Sequence, residues 1–191
     1  PLQVACAYSV IANGGKLMKP QLIKSIMANN GSEIVGFNPQ VVRRVLKEST
    51  AAKMREALCT VVHGQRITGS VTGSKGKVEG HRGGGKTGTA RKHHPDGGYY
   101  NGKNGREKRY TVSFAGMLPA AKPAFVCVVV IDDPKTGDDP LTERVEGIGG
   151  GSIAAPIFSK VATRVANRMG LEPTEPIERK VPSQPLAQTS H

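Results

Sequence analysis

Apolar residues recur at helical spacing from the start of the chain. Leu2, Ala5, Cys6 and Val10, with the small Ser9 among them, share one face and predict a helix over residues 2–13. Asn13-Gly14-Gly15 ends it, because Asn and Gly accept the left-handed turn that closes a helix. Residues 21–28 and 33–37 read as two short strands joined through Asn29-Asn30-Gly31. Residues 49–62 read as a second helix with Met54, Leu58, Val61 and Val62 on one face, and Ser49 or Thr50 stands where it can cap the start. From His63 to Gly85 the chain is glycine-rich, basic and almost without large apolar side chains, and residues 91–109 are a polar stretch expected to be an exposed loop. Residues 110–118 begin with Tyr110, Val112 and Phe114 on alternate positions, whereas residues 124–131 are apolar throughout, the pattern of a strand covered on both faces. The short link from Pro119 to Pro123 pairs these two strands antiparallel. Gly149-Gly150-Gly151-Ser152 opens a last helix with Pro156 in its first turn, Ile157, Val161 and Val165 stacked one turn apart, and Gly170 at its end. Residues 171–191 hold four prolines and no apolar period, which reads as a disordered tail whose removal the fold tolerates. Helices, a glycine-rich connection, antiparallel strands and a closing helix describe a mixed α+β domain, an antiparallel sheet flanked by helices.

Composition adds constraints. A chain of 191 residues builds one domain with a core of its own. Its net charge of +12 is uneven: residues 1–95 carry 15 lysines and arginines against 4 acids, and residues 96–191 carry 12 against 11. The basic side chains are not interleaved with aromatics and no nucleic-acid motif accompanies them, so most of this charge reads as solvated surface and not as a nucleic-acid footprint. Cys6, Cys59 and Cys127 each stand among apolar residues with no CxxC, as small hydrophobes and not as a disulfide or metal framework. No stretch approaches the ~18 apolar residues that span a membrane. The sequence opens on Pro1, running straight into an apolar helix-like stretch, and the expectation is a chain whose amino-terminal part, with any leader, lies upstream.

The informative chemistry is Lys86-Thr87-Gly88-Thr89. On a strand edge Lys86 supplies a fixed positive charge, Thr87 and Thr89 supply hydroxyl donors, and Gly88 lets a ligand backbone lie close. That set suits a peptide ending in a carboxylate, and a backbone N–H at the same edge can stabilise an oxyanion. Other patterns compete. Gly80 to Thr87 matches G-x-x-x-x-G-K-[ST], a phosphate loop, and residues 125–133 resemble the apolar strand ending in Asp that holds magnesium. Against it, residues 73–79 supply no apolar strand and Gly88-Thr89 start a helix poorly. Ser74 and Lys77 match S-x-x-K, the spacing of a serine nucleophile and its base, but glycines at 73 and 76 oppose the helix such a motif opens, which reads as chance and a disordered serine. His93, His94 and Asp96 lack a second cluster for a metal, and Asp132, Asp133, Asp138 and Asp139 lack the Gly and Glu of a calcium loop.

In context the Lys-Thr-Gly run resembles the third motif of the serine acyl-transferases that include penicillin-binding proteins and β-lactamases. The following Thr89-Ala90 and the strands at 110–118 and 124–131 sit where that family has them. The opening LQVACAYSVIANGGKLMKP and the closing GSIAAPIFSKVATRVANRMG resemble the corresponding segments of class B penicillin-binding proteins. The resemblance covers residues 1–170. It implies the carboxy-terminal part of a β-lactamase/transpeptidase-like domain over 1–170, followed by the tail 171–191, in a peptidoglycan D,D-transpeptidase. It implies that Lys86 binds the terminal carboxylate of a D-Ala-D-Ala stem peptide or a β-lactam and aids proton transfer. Thr87 and Thr89 hydrogen-bond that carboxylate, the Thr89 N–H enters the oxyanion hole, and Gly88 permits the approach. It implies no metal or organic cofactor. The parent is expected outside the cytoplasmic membrane, anchored by an amino-terminal segment, with cell-wall synthase partners and no nucleic acid. The S-x-x-K and S-x-N motifs of the family are expected upstream of Pro1, which leaves this chain alone inactive. Two readings stay open beside it: the phosphate loop, and a non-catalytic module that binds peptidoglycan.

Overall fold

The computed structural model describes residues 1–64, 71–103, 107–135 and 147–177. In chain order they form α1 (Leu2–Ala12), β1 (Lys16–Met18), β2 (Ser25–Met27), β3 (Glu33–Gly36), β4 (Val41–Arg44), α2 (Glu48–His63), β5 (Gly84–Arg91), β6 (Tyr110–Leu118), β7 (Phe125–Asp132) and α3 (Ala155–Met169). A single 3-10 turn occupies Ser74–Gly76, and a π-type turn at Gly150–Ala154 runs into α3.

The centre is an antiparallel sheet in the order β5-β6-β7. Its register sets Lys86 opposite Ala115, Thr87 opposite Phe114, Gly88 opposite Ser113 and Thr89 opposite Val112. The core lies between this sheet and α3, where Val62, Val78, Phe114, Leu118, Phe158, Ala162 and Ala166 form one buried cluster. Phe114 and Phe158 meet at its heart, ring centroids 4.7 Å apart. Glycines make room for these rings. A Cβ at Gly85 would stand 2.6 Å from Phe114, one at Gly76 2.8 Å from the same ring, and one at Gly116 2.7 Å from Phe158. The glycine content of the approach to β5 is therefore a packing requirement as well as a turn signal.

The two outer strand pairs are separate. β2 and β3 pair antiparallel across a turn in which Gly31 has φ +82° and Asn30 accepts from the Ser32 N–H. They form at 25–27 and 33–36, shorter than the expected strands, because residues 21–24 lie outside the ladder. β1 and β4 pair across 23 or more residues, a long-range match that no local period announces. Gly14 and Gly15 end α1 with φ of +81° and +101°.

Several expectations need correction. α2 starts at Glu48 with Lys47 as its N-cap and no side-chain cap, so neither Ser49 nor Thr50 serves; the Glu48 carboxylate in the first turn complements the helix dipole instead. Met54 is exposed, and the buried stripe of α2 is Ala51, Leu58, Cys59 and Val62. In α3 the buried stripe is Ala155, Phe158, Ala162 and Ala166, while Ile157 and Val161 are exposed. The large aliphatics suggested one face, but Phe158 fixes the other against the sheet. β7 needs no such correction: it is the last strand of the described sheet, α1 and α3 both lie against it, Phe125, Cys127 and Val129 pack on the core, and only Val130 among its large apolar residues is exposed. Finally, residues 171–177 lie against the domain. The Thr174 and Glu175 N–H groups donate to the Gly80 carbonyl, the Arg82 N–H donates to Thr174 Oγ1, and Arg82 pairs with Glu175 at 3.2 Å. Leu171 packs on the core cluster. The tail expected from residue 171 thus starts no earlier than 178, and residues 178–191 lie outside the described part.

Candidate functional site

Lys86-Thr87-Gly88-Thr89 runs through the middle of β5, an outer strand of the central sheet. Such a strand turns half of its backbone N–H and C=O groups away from its neighbour, ready to pair with an extended peptide. The strand is held from behind. A Cβ at Gly88 would collide with Ser113 Oγ, and one at Gly150 would stand 2.6 Å from the Gly88 carbonyl oxygen. The three consecutive glycines 149–151 therefore let the start of α3 press directly on the motif.

Three hydrogen bonds set the threonines. The Lys86 ammonium donates to the Thr87 carbonyl at 2.8 Å and to Thr87 Oγ1 at 3.2 Å. The Gly150 N–H donates to Thr89 Oγ1 at 3.1 Å. A hydroxyl that accepts from a protein donor keeps its own proton to give. Each threonine hydroxyl thus accepts one protein donor and retains a proton that an incoming carboxylate or oxyanion could accept.

Thr87 and Thr89 open onto a groove of about 380 Å³ whose other walls are Val71, Thr72, Ser74 and Lys75 on one side and Gly149 to Ser152 on the other. None of these described lining residues is acidic. Ser152 Oγ is turned to the Gly147 and Gly149 carbonyls at 2.8 and 3.1 Å. Sequence reasoning found the motif itself but missed both facing walls. The signal for one was the run Gly149-Gly150-Gly151, taken only as a helix start. The other, Ser74-Lys75, was set aside with the S-x-x-K spacing.

That spacing is not a nucleophile helix. Residues 74–76 make one 3-10 turn and Lys77 is already extended, at φ −60° and ψ 141°. Ser74 lines the groove and Lys77 does not. Ser74 is nonetheless ordered, correcting the expected disorder: Gly76 is buried under Phe114, which anchors the turn. The phosphate-loop reading is overturned. Lys86 and Thr87 lie inside a strand paired residue by residue with β6, where a phosphate loop requires a helix to begin.

Upstream, the Gly83 N–H donates to His63 Nε2 at 3.2 Å, tying the end of α2 to the entry of β5. Burial lowers the His63 pKa, an effect the nearby Glu175 opposes. Beyond the motif, β5 leads into a narrow hairpin in which His93 stacks on Tyr99 and His94 on Tyr100. The Asp96 N–H donates to His94 Nδ1 at 3.2 Å, and no group able to hold a metal ion forms among the described residues. At the same end the carboxylate of Asp132 takes hydrogen bonds from Lys92 and Thr111, which hold its pKa below the usual carboxylate range.

Comparison with known proteins agrees with this architecture. The chain is 33% identical over 188 residues to the probable peptidoglycan D,D-transpeptidase PenA of Neisseria flavescens, covering 95% of this chain and 38% of that protein. It is 34% identical to the stage V sporulation protein D of Bacillus subtilis over 94% of this chain and 25% of that one. Among solved structures, penicillin-binding protein 3 of Mycobacterium tuberculosis in complex with ampicillin superposes with a TM-score of 0.72 at 30% identity, covering 97% of this chain and 37% of that chain. The chain thus spans well under half the length of these relatives. The profile of the penicillin-binding protein transpeptidase domain matches residues 1–163, and the chain belongs to that family.

Proposed function

We propose that this chain forms the carboxylate-binding side of the active site of a serine D,D-transpeptidase, which crosslinks peptidoglycan stem peptides and is acylated by β-lactams. The observation that carries this reading is the pair of threonine hydroxyls, each holding a protein donor on its oxygen and each facing a groove without described acidic walls. A stem peptide ending in D-Ala-D-Ala would lie along β5 as an added strand. Its terminal carboxylate would accept hydrogen bonds from the Thr87 and Thr89 hydroxyls, with Lys86 neutralising charge beside Thr87 and assisting the proton transfers at the reacting amide. Gly88 leaves the backbone open to that approach. The Thr89 N–H would stabilise the oxyanion formed when a serine from the rest of the domain attacks the D-Ala-D-Ala amide. Terminal D-alanine leaves with the proton delivered to its nitrogen, and the amine of a second stem resolves the acyl-enzyme. The described part of the domain reaches at least residue 177, since 171–177 dock on the Gly80–Arg82 turn. The parent acts on the outer face of the cytoplasmic membrane, held there by a segment other than those described, none of which is a helix long and apolar enough to cross a membrane.

The test is acylation of the full-length parent by a fluorescent penicillin. Labelling abolished by excess of a peptide ending in D-Ala-D-Ala, and slowed by Thr87→Val, is the expected result. A parent that takes no label, or labels equally fast with Lys86 and Thr87 both replaced, sinks the assignment.

A further inference from the structure

We propose that Ser74 and Lys75 form the outer wall of the carboxylate subsite, with Lys75 supplying a second positive charge across the groove from Lys86 and Ser74 a further hydroxyl. The inference rests on the reading of β5 as the peptide-binding edge and assigns residues outside the Lys-Thr-Gly motif.

Lys86, the cation of the motif, does not line the groove; its ammonium is spent on the carbonyl and hydroxyl of its neighbour Thr87. An anion lying between Thr87 and Thr89 would therefore have the Lys86 ammonium, behind Thr87, as its one cation from β5. The groove supplies a second across the gap: Lys75 lines it, is exposed, and makes no ion pair among the described residues. Ser74 stands next to it, with its N–H bonded to the Val71 carbonyl and its hydroxyl without a described partner. With Thr72 beside them and Thr87 and Thr89 on the facing wall, four hydroxyl side chains besides Ser152, and one lysine, line a space of about 380 Å³. A carboxylate is the group such a set receives, since an anion with several acceptor lone pairs satisfies all of them at once. The wall is also held in place. Gly76 is buried against Phe114, the Gly76 N–H donates to the Gly73 carbonyl at 2.8 Å, and Ser159 Oγ donates to the Lys77 carbonyl from α3. A side chain carried on that anchored turn keeps its position relative to β5.

Lys75 and Ser74 are specificity-determining residues in this scheme and take no part in bond making. Lys75→Ala weakens ground-state recognition of a carboxylate, and Lys75→Arg preserves it.

The experiment is an amide NMR titration of the isotopically labelled 191-residue chain with two peptides, an acetylated D-Ala-D-Ala and its terminal amide. The expected result is that the carboxylate peptide shifts the amides of both 72–75 and 86–89. Lys75→Ala weakens its binding about fivefold, as for loss of one solvent-exposed charge pair, and Lys75→Arg restores it. The terminal amide binds weakly and equally to all three proteins. If the peptide shifts 86–89 alone and Lys75→Ala binds as tightly as the original, the outer wall is not part of the subsite, while the peptide-binding role of β5 stands. If the carboxylate and amide peptides are indistinguishable on the original chain, the carboxylate assignment is wrong for both walls. If neither peptide shifts 86–89 at millimolar concentration, the reading of β5 fails and this inference goes with it.

Discussion

The backbone N–H of Gly150 reaches the hydroxyl oxygen of Thr89 at 3.1 Å, across 61 positions of sequence. The bond joins the turn before α3 to the strand that carries the Lys-Thr-Gly run and occupies one acceptor position of the threonine hydroxyl. Gly150 is buried, so its N–H has no water to turn to when the acceptor goes. Thr89→Val keeps the shape and removes the acceptor; it should lower the unfolding free energy of the chain by about 1–3 kcal/mol, and Thr89→Ser should recover most of the loss. Urea unfolding of the three proteins measures this, and equal stability of the Val variant and the original would show that the bond is not formed.

Lys86 offers the converse case. Its side chain is exposed and, among the described residues, bonds only to the adjacent Thr87. Lys86→Ala should therefore leave the melting temperature almost unchanged. In the full-length parent it should slow β-lactam acylation on the order of 10²-fold or more, the scale for losing one preorganised charge stabiliser. Acylation rates within a factor of two of the original would remove Lys86 from the site.

The carboxy-terminal segment divides into two parts with opposite expected costs. Residues 171–177 place Leu171 on the core and hold the Gly80–Arg82 turn through Thr174 and Glu175. That turn leads directly into Gly83 and β5. Truncation after Gly170 should cost about 2–3 kcal/mol from two or three lost hydrogen bonds and one apolar side chain. Truncation after Ile177 should cost well under ~1 kcal/mol. Thermal unfolding of both truncated chains separates the cases; equal melting temperatures would mean that 171–177 does not dock.

What the sequence showed and hid follows from the range of the interactions. The Lys-Thr-Gly run, the pairing of the strands 110–118 and 124–131, and the stop at Gly170 are local or nearly local, and each was legible. The β1–β4 pair joins Lys16 to Arg44, and its register depends on everything between them. The α3 face was misread because Ile157, Val161 and Val165 outweigh Ala155, Ala162 and Ala166 in hydrophobicity. Only the sheet, through Gly116 opposite Phe158, shows why the small residues face inward. Of the candidate site, one wall was found from chemistry. Ser74, Lys75 and Gly149 to Ser152 came from elsewhere in the chain, brought to β5 by the packing of Gly76 under Phe114 and of Gly150 on Gly88.

His63 links acidity to this strand. Its Nε2 accepts the Gly83 N–H, which a protonated imidazole could not do, and burial holds its pKa below the ordinary 6.5. As pH falls through that value the unfolded chain takes up a proton that the folded chain resists. The contribution of His63 to stability is thus complete above 6.5 and declines below it. His63→Gln, which keeps an acceptor but cannot titrate there, should lose less stability than the original between about pH 8 and about pH 5.5. Parallel urea unfolding at the two pH values reads the difference, and identical pH dependence in both proteins would exclude the coupling.

The 191-residue chain by itself should form no covalent adduct with a penicillin. Acylation needs a serine whose proton is taken by a neighbouring base as the oxygen attacks. Ser74 is the serine that faces the groove from the S-x-x-K spacing, but its lysine partner by that spacing, Lys77, has left the turn in an extended conformation and lines no part of the groove. A helix would bring residues three apart onto one face, and the single 3-10 turn here ends before Lys77 completes it. The hydroxyls of Thr87 and Thr89 have Lys86 and Gly150 on their oxygens and no base among their described partners, and so are poor nucleophiles in this arrangement. On the proposed reading, a chain holding the carboxylate side alone would bind the drug and release it unchanged. Intact-mass measurement after prolonged incubation should therefore show the unmodified mass alone, with the full-length parent as the labelled control. A single penicilloyl group mapped to Ser74 would overturn the division of labour argued for this groove, because the residue assigned to recognition would then be doing the chemistry.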